Sequence, residues 1–257
     1  MDDIPVLLEQ EKSPFLRSVR KVIRKRGLAY KTEKTYLLWI RRFIYFNEKR
    51  HPNELGESEV SAYLSHLSLQ RSVSANTQKT ALNAIVFLYR HVVQRPLGEL
   101  SHQYSRKSQR IPIVFTHREV LSIFQQLKTP YRLIAELMYG SGLRISEALK
   151  LRVQDLDFGM NVLVVRNSKG NKDRVTLLPA KLIDPLQAQI DFAAAQHQRD
   201  LVDGFGEVYL PNALARKYPS AATQLGWQYV FPASQISKDP RSEARRRHHI
   251  MDSTVQR

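Results

Sequence analysis

Apolar residues recur three and four positions apart along most of the chain, the spacing that gathers them on one face of an α-helix. Leu16, Val19 and Ile23 mark a first helix over residues 15–26, which Gly27 stops. Tyr36, Ile40, Phe43 and Ile44, with Trp39 and Phe46, mark a second, from a Thr32 cap to about Lys49, ended by His51-Pro52. Val60, Tyr63, Leu64 and Leu67 mark a third over residues 58–68. A fourth, over 75–93, carries Leu82, Ile85, Val86, Tyr89 and Val93 behind a Ser74 cap. The short connections make this a compact four-helix domain, residues 13–98, preceded by a loose arm over residues 1–12.

The helical pattern lapses over residues 99–113, which read as an inter-domain linker. A second domain, residues 114–257, opens with a Thr116–Glu119 capping box and a helix expected to bury Val120, Ile123, Phe124 and Leu127. A core helix follows from Tyr131 to Tyr139. Gly140-Ser141-Gly142 breaks it, and a further helix begins at once with Leu143, Ile145, Ala148, Leu149 and Leu151 apolar. Residues 155–159 have turn chemistry. Two β-type runs, Val162 to Val165 and Val175 to Leu178, flank RNSKGNKDR and predict a hairpin with Lys169, Lys172 and Arg174 at or near its tip. Pro179 starts a helix to about Arg199. From Asp203 to Asp239 the pattern degrades: Tyr209, Tyr218, Trp227, Tyr229 and Phe231 lie among Pro211, Pro219 and Pro232, either as a packed insertion or as a partner surface. The fold class is mainly α with a small β-hairpin or sheet, in two domains.

Charge adds a partner. Among 257 residues, 40 Lys and Arg against 24 Asp and Glu leave +16, an excess kept for an anionic partner, and nucleic acid is the default. The basic positions off the apolar stripes supply candidate phosphate contacts. They are Arg20 and Arg24 on the first helix, Lys31, Lys34 and Arg41 with Thr35 on the second, and Arg106, Lys107 and Arg110 in the linker. Lys172 and Arg174 on the hairpin and Arg246 and His248 near the end complete the set. Cysteine is absent, and of eight histidines only His248 and His249 are close in sequence, so no metal site and no cofactor is expected. No apolar run approaches a membrane span and MDDIPVLLEQEK lacks a signal-peptide plan, which points to a cytosolic protein.

The Gly-Ser-Gly break leaves Arg144 at the start of a helix, where unpaired N–H groups and the helix dipole favour a phosphate. The same residues also accommodate a plain pairing of Arg144 with Glu147 one turn on.

Taken together these segments resemble the tyrosine recombinases, the family of phage integrases and Xer-type recombinases. KTEKTYLLWIRRF is similar to part of the family's N-terminal core-binding domain, a SAM-like helical fold. LMYGSGLRISEALKLRVQDLDF resembles the motif of the first catalytic arginine, which places that role on Arg144. VRNSKGNKDRVTLLP resembles the hairpin of the catalytic lysine, which places that role on Lys169. The stretch from Val208 to His249 is similar to the insertion of integron integrases, which recombine folded single-stranded cassette sites as well as a double-stranded site; the insertion spans about residues 203–249. Its aromatic residues, Trp227 among them, either stack on extrahelical bases or pack the insertion itself. What the resemblance implies is covalent strand exchange through a phosphotyrosyl intermediate, without metal or nucleotide, by a homo-oligomer assembled on DNA in a nucleoid-associated, cytoplasmic setting. The family pattern continues with a His-x-x-Arg pair and a Tyr nucleophile. No histidine here has Arg three places on, and the last tyrosine is Tyr229. The expectation is therefore an incomplete catalytic domain whose chain binds DNA without cleaving it and assembles poorly. The alternative is a non-catalytic DNA-binding or regulatory protein derived from a recombinase.

Overall fold

The computed structural model describes residues 6–105, 113–166, 172–210, 214–239 and 244–256. The chain forms two compact units, one within residues 2–112 and one within 113–257.

In the first unit four helices enclose one core. α1 (Pro14–Lys25) starts at Ser13, whose hydroxyl accepts the Leu16 N–H at 3.3 Å. It ends at Gly27, whose φ of +68° is the left-handed cap that glycine reaches without strain. α2 (Tyr30–Phe46) begins after Ala29 rather than at Thr32, and the earlier start places Glu33 in its first turn, facing Arg20 and Arg24. α3 (Glu57–Leu69) and α4 (Ala75–Leu88) follow, and α4 continues as a π-helical turn, Tyr89–Val93. Phe43, Tyr89, Ile40, Leu64 and Ile85 fill the centre, and the Tyr89 hydroxyl donates to the Pro52 carbonyl at 3.1 Å. α4 packs on both α2 and α3. Its buried arc is accordingly wider than one stripe, taking in Phe87 and Leu88, while Val86 turns to solvent.

The expected loose arm is tied down over its described part, from Val6. Arg24 donates to the Val6 carbonyl at 2.6 Å and Arg17 to that of Glu11 at 2.9 Å. The buried Glu11 carboxylate accepts from Arg20 at 3.0 Å and Arg41 at 2.7 Å.

In the second unit α5 (His117–Gln126) carries the expected Thr116–Glu119 box. Of the four residues expected inside, Phe124 is buried, Val120 and Leu127 are half-buried, and Ile123 is exposed, because α5 rests on the edge of α6 (Tyr131–Ser141). α7 (Ile145–Leu149) leads to a three-stranded antiparallel sheet, β1 (Leu156–Asp157), β2 (Val162–Val165) and β3 (Arg174–Leu177), in that order. The residues with turn chemistry thus include a short strand, with Asp157 opposite Val162, and the hairpin register sets Val165 opposite Arg174. α8 (Ile183–Val202) starts after a 3-10 turn, Ala180–Leu182, and extends past Arg199. Leu133, Ile134, Leu137, Leu149, Leu163, Leu186 and Phe231 form the core. A Cβ on Gly140 would lie 2.5 Å from the Pro179 ring, so glycine there lets α6 meet the end of the hairpin. Beyond α8 come α9 (Leu214–Lys217), the antiparallel pair β4 (Pro232–Lys238) and β5 (Arg245–His249), and α10 (Asp252–Val255).

Six acids are buried among the described residues, Glu11, Glu33, Glu147, Asp155, Asp200 and Asp239, and each is paired with arginine. Burying a carboxylate is tolerated only with such compensation.

Candidate active site

α6 closes on Gly142, at φ +63°, and the chain turns through Leu143 into Arg144, which is extended at φ −73° and ψ 151°. Arg144 is the cap of α7, a helix of five residues. Its own N–H donates to Glu147 Oε2 at 2.9 Å and its Nη1 to Oε1 at 2.8 Å. The carboxylate of Glu147 therefore occupies the helix start, and the anion preference of this corner comes from guanidinium charge rather than from the helix dipole.

A second guanidinium completes the cluster. Arg174, at the first position of β3, donates Nη1 to Glu147 Oε1 at 3.0 Å and Nη2 to Oε2 at 2.8 Å. Thr176 on the same strand donates to the Ser141 carbonyl at 3.1 Å. The hydrogen bonds from Arg174 hold the Glu147 carboxyl down at about 2, against the opposing effect of burial, and the Arg144 N–H and guanidinium lower it further. Two positive groups share one negative one. The cluster keeps a net positive charge, and the Arg144 side chain, 59% exposed, carries it to solvent. A guanidinium so placed offers paired donors in the plane that phosphate oxygens match.

The other sequence candidates fall into three groups. Lys169, Arg106, Lys107 and Arg110 lie outside the described residues. Lys172, Lys31 and Lys34 are exposed, Lys34 with its Nζ 5.7 Å from the Tyr30 ring centre; Thr35, half-buried, donates to the Lys31 carbonyl at 2.9 Å. The rest are engaged inside the protein. Arg20 is 11% exposed and bonded to Glu11 and Glu33, and Arg24 bonds Glu33 through Nε at 2.8 Å and Nη2 at 2.9 Å. Arg174 is bound to Glu147, and Arg246 pairs with Asp239 and Glu207. His248 is buried, its ring 5.2 Å from Tyr229 and 4.1 Å from His249. Arg20, Arg24, Arg174, Arg246 and His248 thus have partners inside the protein, contacts that a phosphate would have to compete with. Arg41, bonded to Glu11, keeps 43% of its side chain in solvent.

The described site thus holds an arginine capping a helix, a carboxylate three residues on, and a β-hairpin directly after them. The description "Phage integrase family" matches residues 114–257, and "Phage integrase, N-terminal SAM-like domain" matches residues 15–99. This chain belongs to the phage integrase family of tyrosine recombinases. Integrase/recombinase proteins of Escherichia coli and Pseudomonas aeruginosa are each 44% identical over 251 residues, covering 95% of this chain and 74% of theirs. Among solved structures, the Tn1549 transposon integrase in complex with transposon right end DNA has the same fold, with a TM-score of 0.51 and 18% identity over 70% of this chain and 65% of that one.

Two residues of this phage integrase family chain took roles that spacing alone does not reveal. Arg174 faces Glu147 only because β3 pairs with β2 in the register observed. Arg152 is buried, its guanidinium 5.4 Å from the Trp227 ring and 4.9 Å from the Tyr229 ring. It donates to the carbonyls of Trp227 at 2.6 Å and Tyr209 at 2.9 Å. Tyr229, with Val208, Leu210 and Ala221, forms a small core of its own, Trp227 packs against it, and Tyr218 is left exposed. Of Tyr209, Tyr218, Trp227 and Tyr229, packing claims Tyr229 and most of Trp227, Tyr209 is half-buried, and Tyr218 is exposed.

Proposed function

We propose that this chain acts in site-specific recombination of the integron-integrase type, binding DNA and bringing Arg144 and Lys169 to the scissile phosphate. Residues 13–98 are its core-binding domain, 99–113 the linker, and 114–257 the catalytic domain with an insertion over about 203–249. It works in the cytoplasm, on a double-stranded site and on folded single-stranded cassette sites.

One observation carries this reading: Arg144 stands in solvent on a buried Glu147 that Arg174 holds ionised. In strand exchange a tyrosine oxygen attacks a DNA phosphorus, and the 5′-oxygen leaves with a proton. Charge grows on the non-bridging oxygens, and Arg144 supplies the paired donors that match them. Lys169 is the acid that protonates the leaving oxygen. Transfer to tyrosine conserves the phosphodiester energy until a second strand's 5′-hydroxyl reverses the step. No His-x-x-Arg occurs in the sequence, and its last tyrosine, Tyr229, is buried beside Arg152.

A polypeptide of these 257 residues is expected to bind DNA without cutting it. A nicked suicide substrate, analysed on a denaturing gel, tests that. Retarded DNA on a native gel with no covalent adduct supports the reading, and a protein–DNA adduct overturns it.

A further inference from the structure

The insertion is seated on the segment that leaves the arginine helix. Val153 N–H donates to the Gln228 carbonyl at 3.0 Å, Val230 N–H to that of Leu151 at 2.9 Å, and Arg152 forms a β-bridge with Tyr229. Between these backbone contacts the Arg152 side chain is a clamp. Its guanidinium has Trp227 and Tyr229 as ring neighbours, and its fork closes on two carbonyls from separate segments of the insertion, at Tyr209 and Trp227. Its main-chain N–H is fixed in turn by Asp155 Oδ2 at 3.0 Å, and Asp155 Oδ1 is bonded to Arg166 at 2.6 Å.

The small core held by this clamp presents a polar and aromatic edge. Leu214 packs inward from α9, while Arg216, Lys217 and Tyr218 face solvent, with the Lys217 Nζ 5.2 Å from the Tyr218 ring. An exposed ring flanked by cations suits an unpaired base and its phosphate. The clamp and Arg144 are eight residues apart on one short, well-packed path through α7, whose Ala148 and Leu149 are buried.

We propose that Arg152 is a positioning residue for substrate choice: it fixes the Arg216–Tyr218 edge relative to Arg144, so that the protein prefers folded single-stranded DNA with unpaired bases over plain duplex. The proposal rests on the integron-type reading above. Lysine cannot replace the guanidinium, because an ammonium has neither the plane that faces the two rings nor the fork that reaches both carbonyls. The backbone pairing on either side remains in an Arg152→Lys variant, so the insertion stays attached and only its placement loosens.

The test uses the 257-residue chain and three fluorescent probes: a DNA hairpin with two extrahelical bases, the same hairpin without them, and a duplex of the same sequence. Affinities are read by anisotropy. The wild-type protein is expected to prefer the first probe. Arg152→Lys is expected to lose about tenfold on that probe and less than about twofold on the duplex, and Tyr218→Ala to show the same selective loss. Should Arg152→Lys not fold, Trp227→Leu removes one ring beside the guanidinium and is expected to lose selectivity in the same direction. A wild-type protein with no preference overturns the integron-type reading and the clamp with it. A wild-type preference that survives in these clamp variants, or an equal loss on all three probes, overturns the clamp alone.

Discussion

Arg174 holds both oxygens of Glu147, at 3.0 and 2.8 Å, from the first position of β3. The hairpin that carries Lys169 in its sequence and the helix that Arg144 caps are therefore joined through one carboxylate. Arg174→Gln is expected to cost about 1.5–3 kcal/mol, the value of hydrogen bonds to a charged group. The loss depends on pH in a defined direction. Glu147 titrates at about 2 in the folded protein, below an unfolded glutamate. Its contribution is complete above the unfolded range near pH 4–5 and fades as pH falls toward 2. Urea unfolding at pH 7 and pH 3 is expected to show a larger gap between wild type and variant at pH 7.

Arg144 is placed to act on a ligand more than on the fold. Arg144→Ala is expected to change stability by less than about 1 kcal/mol, since the side chain is largely exposed and its pair is salt-screened. In DNA titrations over a range of salt concentrations the variant is expected to lose about one unit of slope, the signature of one phosphate contact. An unchanged slope would remove Arg144 from the DNA interface.

Glu33 is 1% exposed and receives Arg20 and Arg24. Glu33→Gln leaves Arg24 without its carboxylate and Arg20 with that of Glu11 alone, and about 3 kcal/mol of stability is expected to be lost. Arg20→Met is expected to leave duplex affinity within about twofold once the protein is folded. Thermal melts paired with anisotropy separate the two effects, and a large affinity loss at full folding would return Arg20 to the phosphate contacts.

Gly140 lets α6 approach Pro179. Gly140→Ala is expected to lower stability by about 1–3 kcal/mol, because the added methyl meets a rigid ring rather than a mobile chain end. A melting temperature unchanged from wild type would show that this corner is looser than its geometry.

Much of this was legible in the sequence. Ser13 escaped notice as a cap, but Ser74, the Thr116–Glu119 box and the Gly27 stop were readable because each is a local rule satisfied within four residues. The two strands of the hairpin were readable as apolar runs, to within one residue for β3, and the start of α7 at Arg144 from the glycine break before it. What the spacing did not reveal was decided by partners distant in sequence. Periodicity gave α5 an apolar stripe, but whether anything covers Ile123 depends on the neighbouring helix. Basic residues at 20, 24, 174 and 246 were assigned outward because lysine and arginine usually point there. Glu11 lies nine residues from Arg20, and Glu147 twenty-seven from Arg174, separations at which spacing carries no signal. His248 was read as part of a basic run, whereas it is buried with its neighbour His249 against the Tyr229 ring.

All six buried acids among the described residues have arginine as a partner, and this makes the two cations unequal in how freely they can drift. At a solvated site an ammonium does the work of a guanidinium. At Arg24, Arg174 and Arg247 it does not, because each spans two carboxylate oxygens or a carboxylate and a carbonyl at once. A library that exchanges every arginine for lysine, one at a time, should thus sort itself into a tolerant outer set and an intolerant inner one, and the border between the two would trace the protein's interior scaffold of charge.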